Sequence, residues 1–299
     1  MKTLKRGCKG DEVKILQKLL NSAGYAVSID SDFGPKTEAA VVAFQKAHSD
    51  VCGEADGIVG PKTWAALGVT ETRKVRIIIN YGHSKATPGK RSPLYSTLPK
   101  EEQAYFKQFP QFGTDRYYEY LSNRVIGRQI TAMLRERGWE VHEIEQVGAN
   151  GLAEINAATR KLVKSFGAAN CIFVSVHSNA AQAKDNGWAN AKGWCIYTTK
   201  GQDKSDKLAD CIYKYADEFF IKQDGQKIRK GTSDGDPDYE ENFSVIWNAK
   251  QLGVAGVLTE NFFFNDKDDL KYLVSKQGQN SIVKAHVLGI EEYIKKYMV

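Results

Sequence analysis

The sequence predicts a small all-α domain followed by an α/β domain, whose mostly parallel twisted sheet is flanked by helices. Three observations carry this: a doubled turn-and-helix motif before residue 68, a short polar stretch after it, and strands alternating with helices from residue 75 onward. A chain of 299 residues has room for two domains of ordinary size. Apolar residues make up 42% and charged residues 26%, the balance of a globular chain and not of a disordered or fibrous one. No apolar run approaches the ~20 residues needed to span a bilayer.

The first domain is expected over residues 1–68. Asp30-Ser31-Asp32-Phe33-Gly34-Pro35-Lys36-Thr37 is echoed by Asp56-Gly57-Ile58-Val59-Gly60-Pro61-Lys62-Thr63. Each copy reads as a tight turn at glycine, then proline at the first helical position, where its missing N–H is tolerated. An apolar-faced helix follows each, and Val13, Leu16, Leu19 and Leu20 recur at helical spacing ahead of them. Together with the Gly10-Asp11-Glu12-Val13 to Leu16-Gln17 opening and the Gly24-Tyr25 turn, these units resemble the three-helix peptidoglycan-binding domain of wall hydrolases. Tyr25, Phe33 and Trp64 are candidates for its glycan surface, or for its core. The five cysteines form no CxxC pair and so no cysteine-zinc signature. Cys171 and Cys195 are expected as buried thiols, and whether Cys8 and Cys52 pair is open.

Residues 69–74 are expected to be a linker, and residues 75–299 the larger domain. Short apolar runs at Val75–Asn80, Cys171–His177, Gly193–Thr198 and Gly256–Glu260 read as strands. Helical patterns lie between them, at Tyr118–Arg137, Leu152–Phe166, Ser205–Phe220 and Ser281–Tyr297. Such alternation argues for a centrally buried sheet, with its ligand site beyond the carboxyl ends of the strands. That rule singles out His83, His177 and Glu260, which close or follow three of the runs. Two imidazoles and a carboxylate at neighbouring strand ends suit zinc, and a catalytic zinc uses three protein ligands with the fourth position left to water. Glu119, opening the first long helix with Asn123 one turn on, is the leading candidate for the third ligand. Glu101 and Glu102 compete with it, whereas His142 reads as an ordinary strand residue.

These positions also resemble the third family of zinc N-acetylmuramoyl-L-alanine amidases. The resemblance rests on Asn80-Tyr81-Gly82-His83, on Glu119-Tyr120-Leu121-Ser122-Asn123, on Ser175-Val176-His177-Ser178-Asn179, and on Val257-Leu258-Thr259-Glu260-Asn261 with the aromatic run to Asn265. It implies His83, Glu119 and His177 as ligands of Zn2+ and Glu260 as catalytic acid/base. The implied reaction is attack of zinc-activated water on the amide joining N-acetylmuramic acid to L-alanine. Two departures stand out: Ser84 follows His83 where glycine is usual, and Ser84–Tyr118 is longer than usual. That insertion keeps Glu101 and Glu102 in play and reads as a groove wall, a lid or a surface loop. Asn123, Asn179 and Asn261 are candidates to orient ligands or substrate. Arg229, ahead of the acidic loop Asp234–Glu241, reads as a partner for a stem-peptide carboxylate or as a solvated charge.

The partner implied is bacterial peptidoglycan. The net charge of +6 favours anionic wall polymers, and no nucleic-acid motif accompanies it. Membrane insertion is not expected, and a monomer is. Residues Met1–Leu16 show no secretory signal, so the expectation is an endolysin-like enzyme held in the cytoplasm until lysis and acting at the wall. A zinc peptidase acting within the stem peptide, and a wall-binding protein without catalysis, are the alternatives.

Overall fold

Buried glutamines explain the doubled motif of the N-terminal segment. In the computed structural model, which describes residues 3–69, 75–148, 151–182, 187–201, 203–231 and 235–298, α1 spans Asp11–Ser22 and α2 spans Pro35–Ala47. A one-turn α3 (Ser49–Cys52) and the short α4 (Pro61–Ala66) complete the segment, so a further turn joins the three helices the sequence suggests. Gln17 on α1 donates to Asp30 Oδ1 at 2.7 Å and to the Asp32 carbonyl at 3.0 Å, and accepts from the Ser31 N–H at 2.9 Å. Gln45 on α2 repeats this, donating to Asp56 Oδ1 (3.1 Å) and the Ile58 carbonyl (2.9 Å) and accepting from the Gly57 N–H (2.9 Å). Each repeat is thus one turn tied to the helix before it, with Pro35 or Pro61 opening the next helix.

Val13, Leu16, Leu20, Phe33, Val41, Phe44, Val59 and Trp64 close over one core. Phe33 and Trp64 are therefore core residues and not a glycan surface, and Tyr25 packs edge-on against Phe44 at 5.5 Å. All five cysteines are free thiols. The chain divides into two compact units, Met1–Arg73 and Lys74–Val299, and residues 70–74 of the expected linker lie outside the described residues.

In the second unit β1 (Arg76–Tyr81) leads into the insertion, which contains α5 (Lys100–Phe106), and then into α6 (Glu119–Glu136). There follow β2 (Glu140–Glu145), α7 (Gly151–Phe166), β3 (Cys171–Asn179), β4 (Cys195–Thr198) and α8 (Lys204–Ala216). The helix α8 widens into a more loosely wound stretch, Asp217–Gln223. The chain ends with β5 (Tyr239–Glu240), α9 (Ser244–Gln251), β6 (Ala255–Phe263), α10 (Lys267–Val274) and α11 (Lys276–Tyr297). Among the described residues the strands form one sheet in the order β2-β1-β3-β6-β4-β5. The sheet is mostly parallel; β4 runs antiparallel to β6 and carries β5 parallel to itself.

Both faces of the sheet are covered, so β1 and β3 read as continuous apolar runs. Ile77, Ile79, Ile172, Val174 and Val257 face the side packed by α6, α8 and α11. Ile78, Phe173 and Leu258 face the side packed by α7 and α9. Because side chains alternate along a strand, Asn80, Ser175, His177 and Glu260 continue the second set. Register sets Asn80 beside Ser175 and His177 beside Glu260.

Candidate active site

His83 stands two residues beyond the end of β1, His177 near the end of β3, and Glu119 at the first turn of α6. One ligand atom from each lies within 4.8 Å of the others. His83 Nε2 is 3.4 Å and His177 Nδ1 3.3 Å from the same Glu119 oxygen, Oε1, and the two imidazoles meet edge-on with centroids 4.7 Å apart. Glu119 is fully buried, and its Oε2 has no hydrogen-bond partner; Lys90 Nζ stands 3.8 Å from it. A carboxylate at a helix N-terminus suits the helix dipole, yet one buried with an oxygen left over is poised for a cation. Nitrogen and oxygen donors converging in this way fit a metal ion.

Two local features make the approach possible. A Cβ on Gly82 would lie 2.1 Å from His177 Cε1, so only glycine lets the His177 ring occupy its place. His83 holds a left-handed backbone, φ 62°, a conformation uncommon for a non-glycine residue and often found where function demands it.

Hydrogen bonding decides which nitrogen His177 presents. Asn80 donates through Nδ2 to the Ile144 carbonyl at 3.0 Å, so its Oδ1 is an acceptor. The Ser175 hydroxyl therefore donates to Asn80 Oδ1, at 2.7 Å. With that proton committed, Ser175 Oγ accepts from His177 Nε2–H, at 3.0 Å. The lone pair of neutral His177 is then on Nδ1, the nitrogen that faces Glu119 and His83. Across the site Asn123 donates to the Gly82 carbonyl (3.0 Å) and to Glu119 Oε1 (3.3 Å), and the Ser178 N–H also reaches Glu119 Oε1 (3.2 Å).

Electrostatics separates the two carboxylates. Burial alone would raise Glu119, but the neighbouring His177, His83 and Lys90 outweigh it and hold the group below its usual range. Glu260 has no such donors: burial and the nearby Glu119 charge push its carboxyl well up, against Lys90, and its Oε2 has no hydrogen-bond partner. Burial lowers His83 to about 3, which keeps that imidazole neutral and able to offer a lone pair. His83, Lys90, His177 and Glu260 line a pocket of about 220 Å³ together with Gln146, Leu152, Ile155, Phe243 and Leu258.

The other sequence candidates lie elsewhere or act indirectly. Glu102 pairs with Lys271 at 2.8 Å and Lys267 at 3.6 Å, and only Glu119 of the acidic candidates joins the histidines. His142 belongs to β2 and sits 3.1 Å from Glu140. Asn261 holds the backbone of His177, donating to its carbonyl at 2.8 Å, while Asn179 Oδ1 accepts from the Ala180 N–H at 2.8 Å. The Arg229 guanidinium lies over the Phe263 ring, 5.2 Å from its centroid, and is not simply solvated. Sequence reasoning assigned no role to Asn80, Ser175, Gly82 or Lys90. For Asn80 and Ser175 the signal was present, since they share a sheet face with His177. Lys90, in the insertion, had none.

The insertion supports the site: the Glu119 N–H donates to the Lys90 carbonyl at 3.0 Å, and Tyr117 donates to Ser178 Oγ at 2.9 Å. It also forms one side of a second cleft, of about 700 Å³, lined by Arg91, Leu94, Arg116, Trp188, Phe264 and Asn265 among others.

Comparison with known proteins is consistent with this geometry. Residues 9–67 match the family model of a peptidoglycan binding domain, and residues 77–292 match that of N-acetylmuramoyl-L-alanine amidase. The chain is 52% identical over 60 residues to an uncharacterized protein of Kitasatospora aureofaciens from the bpoA1 3' region, a match covering 19% of this chain and 48% of that one. The chain thus spans about half the length of that curated relative. Among solved structures, an N-acetylmuramoyl-L-alanine amidase from Clostridium difficile 630 superposes with a TM-score of 0.54 at 17% identity, covering 76% of this chain and all (100%) of that one. The amidase AmiC2 of Nostoc punctiforme gives 0.52 at 18% identity, with 75% and 98% covered. At these identities the likeness speaks for the fold, which is the mixed sheet flanked by helices described above. The amidase model spans nearly all of the second unit, and the chain belongs to the N-acetylmuramoyl-L-alanine amidase family.

Proposed function

We propose that this chain hydrolyses the amide between the lactyl group of N-acetylmuramic acid and L-alanine in peptidoglycan, with zinc held by His83, Glu119 and His177 and with Glu260 carrying the proton. The observation that carries this is the convergence of two imidazoles and a buried carboxylate, with Glu260 next to His177 in sheet register. Glu119 Oε2, which accepts no hydrogen bond, the neutral His83 and the Nδ1 lone pair of His177 make a donor set that fits zinc. A zinc ion held there would supply Lewis acidity, for activating water at neutral pH and polarising the scissile carbonyl.

The chain's own residues do the rest. Glu260, whose proton affinity is raised, takes the proton of the attacking water and returns it to the nitrogen of the leaving L-alanine. The Ser175–Asn80 pair holds the His177 ring and its tautomer. Asn123 and the Ser178 N–H fix Glu119. Arg91 and Arg116, in the larger cleft beside the site, suit stem-peptide carboxylates, and Trp188 there suits a sugar face. The N-terminal unit would keep the enzyme on the peptidoglycan of the wall, where the chain acts as a monomer.

The test separates ligand from proton carrier. Glu260→Gln is expected to retain zinc by elemental analysis and to lose rate by ~10²–10⁴-fold. Glu119→Gln is expected to lose zinc, because an amide lacks the charge that holds the cation. Mass analysis of the digest should show peptides beginning with free L-alanine. Metal lost from Glu260→Gln and kept by Glu119→Gln would reverse the two roles, and cleavage only within the stem peptide would replace the amidase assignment by a peptidase.

A further inference from the structure

The insertion delivers a lysine to the catalytic pocket from a fixed base. Gly89 turns the chain with φ 74°, and the residues after it pair with the segment that enters α6. Arg91 bridges to Tyr118, the Ser92 N–H donates to the Tyr117 carbonyl at 3.0 Å, and the Tyr117 N–H donates to Ser92 Oγ at 3.0 Å. Ser92 and Tyr117 are both buried. Between them and the turn, the Lys90 carbonyl accepts from the Glu119 N–H at 3.0 Å. The backbone of Lys90 is thus tied to the residue whose carboxylate meets the two imidazoles.

The side chain points the same way, yet its donors remain available. Nζ stands 3.8 Å from Glu119 Oε2, close enough for attraction but beyond hydrogen-bond reach. A lysine present only to neutralise Glu119 would gain most by closing to the ~2.7–2.9 Å of a charge-assisted hydrogen bond. Among the described residues no oxygen accepts a hydrogen bond from Nζ, and Lys90 is the single lysine or arginine lining the pocket that holds His83, His177 and Glu260. Its charge reaches Glu260 as well, opposing the rise that burial and Glu119 impose there. The amides of Asn80 and Gln146, in the same pocket, already donate to protein oxygens.

We propose that Lys90 is a further catalytic residue, donating a hydrogen bond to the carbonyl oxygen of the scissile amide as that oxygen takes up negative charge. The inference rests on the amide-hydrolase reading above. In the addition step the water oxygen bonds to the carbonyl carbon, the π pair moves to the carbonyl oxygen, and Glu260 takes the water's proton. In the collapse the carbonyl re-forms, the C–N bond breaks, and Glu260 returns the proton to the departing nitrogen. Lys90 transfers no proton; its charged N–H donors stabilise the oxygen between the two steps. The clamp on its backbone holds the donor in place before charge develops, the condition under which such stabilisation is most effective.

The experiment compares Lys90→Met, Lys90→Gln and Lys90→Arg with the unsubstituted full-length, zinc-loaded protein in kcat, KM and zinc affinity. Loss of one donor to a developing oxyanion costs ~10²–10³-fold in kcat where no cation shares the charge. Here Lys90→Met is expected to lose at least ~10-fold in kcat with little change in KM, and Lys90→Arg to recover part of it. Lys90→Gln gives the same reading should Lys90→Met fail to fold. Zinc affinity, measured by chelator competition, should hold or rise, because a like charge beside the ligands is removed. An unchanged kcat at saturating zinc overturns the proposal: with tighter zinc the ammonium only balances Glu119, and with weaker zinc it only holds Glu119 in place. A rise in KM alone overturns it too, since that marks ground-state binding. The amidase reading is judged separately, by which bond the unsubstituted protein cuts; a peptide bond within the stem develops the same oxyanion and calls for the same loss of kcat.

Discussion

Replacing Ser175 by alanine is expected to weaken metal binding although Ser175 is not among the proposed ligands. Its hydroxyl stands between two buried groups, donating to Asn80 Oδ1 at 2.7 Å and accepting from His177 Nε2–H at 3.0 Å. Ser175 and Asn80 are fully buried and His177 is 9% exposed, so water has little access to replace what is lost. Each stranded polar group costs about 1–3 kcal/mol, and two of them put the loss of stability at roughly 2–4 kcal/mol after partial relaxation. The ring would also lose the bond that keeps its lone pair on Nδ1. Loss of such an outer hydrogen bond typically lowers metal affinity ~10–100-fold. Zinc affinity is measured by competition with a chromogenic chelator, stability by urea unfolding, and activity on muropeptides at limiting and saturating zinc. Activity should fall at limiting zinc and recover in large part at saturation. A Ser175→Ala protein that is destabilised but binds zinc as tightly as before would refute the idea that this hydroxyl sets the His177 tautomer.

Further outcomes follow from other contacts. Gly82→Ala, whose Cβ would meet His177 Cε1 at 2.1 Å and Nδ1 at 2.4 Å, should displace the ring and abolish metal binding while the chain remains folded; circular dichroism and zinc content check this, and retained zinc contradicts it. Gln45→Leu strands the buried Gly57 N–H and removes the amide's bonds to Asp56 and to the Ile58 carbonyl, and should destabilise the N-terminal unit by about 1–3 kcal/mol, read in calorimetry of the full chain as an earlier transition of that unit alone. His286 is fully buried, accepts from Thr259 Oγ1 through Nε2 (2.9 Å) and donates from Nδ1 to the Ile282 carbonyl (2.7 Å). Burial lowers it from 6.5 to about 4, so the unfolded chain takes up its proton first. Its contribution is therefore constant above pH 6.5, and stability is lost as pH falls from there toward 4, by up to about 3 kcal/mol. Urea unfolding across that window should be steeper in pH for the unsubstituted protein than for His286→Gln, and equal slopes would contradict it.

Much of this protein is legible in the sequence because the physics concerned is local. Glycine followed by proline at a first helical position marks the starts of α2 and α4, and each signal acts within a few residues. Apolar runs closed by His177 and Glu260, with His83 just beyond another, announce strands of a sheet covered on both faces. The rule that such sheets place their sites at strand ends brings the same three residues forward. Glu119 comes forward from its place at the start of the first long helix, and the family-like motifs point to it as well.

What the sequence could not decide was which distant residues become neighbours. A period of two reports the face a side chain occupies but not the strand beside it. Hence the insertion of antiparallel β4 between β6 and β5, and the Ile144–Asn80–Ser175–His177 chain of hydrogen bonds, appear only once the sheet is assembled. Glu101, Glu102 and Glu119 are chemically alike, and only tertiary packing sends Glu102 to Lys271 while burying Glu119 between two imidazoles. Gln17 and Gln45 look like solvated helix positions until the following turns fold over them. That closure is a tertiary outcome that no local propensity encodes.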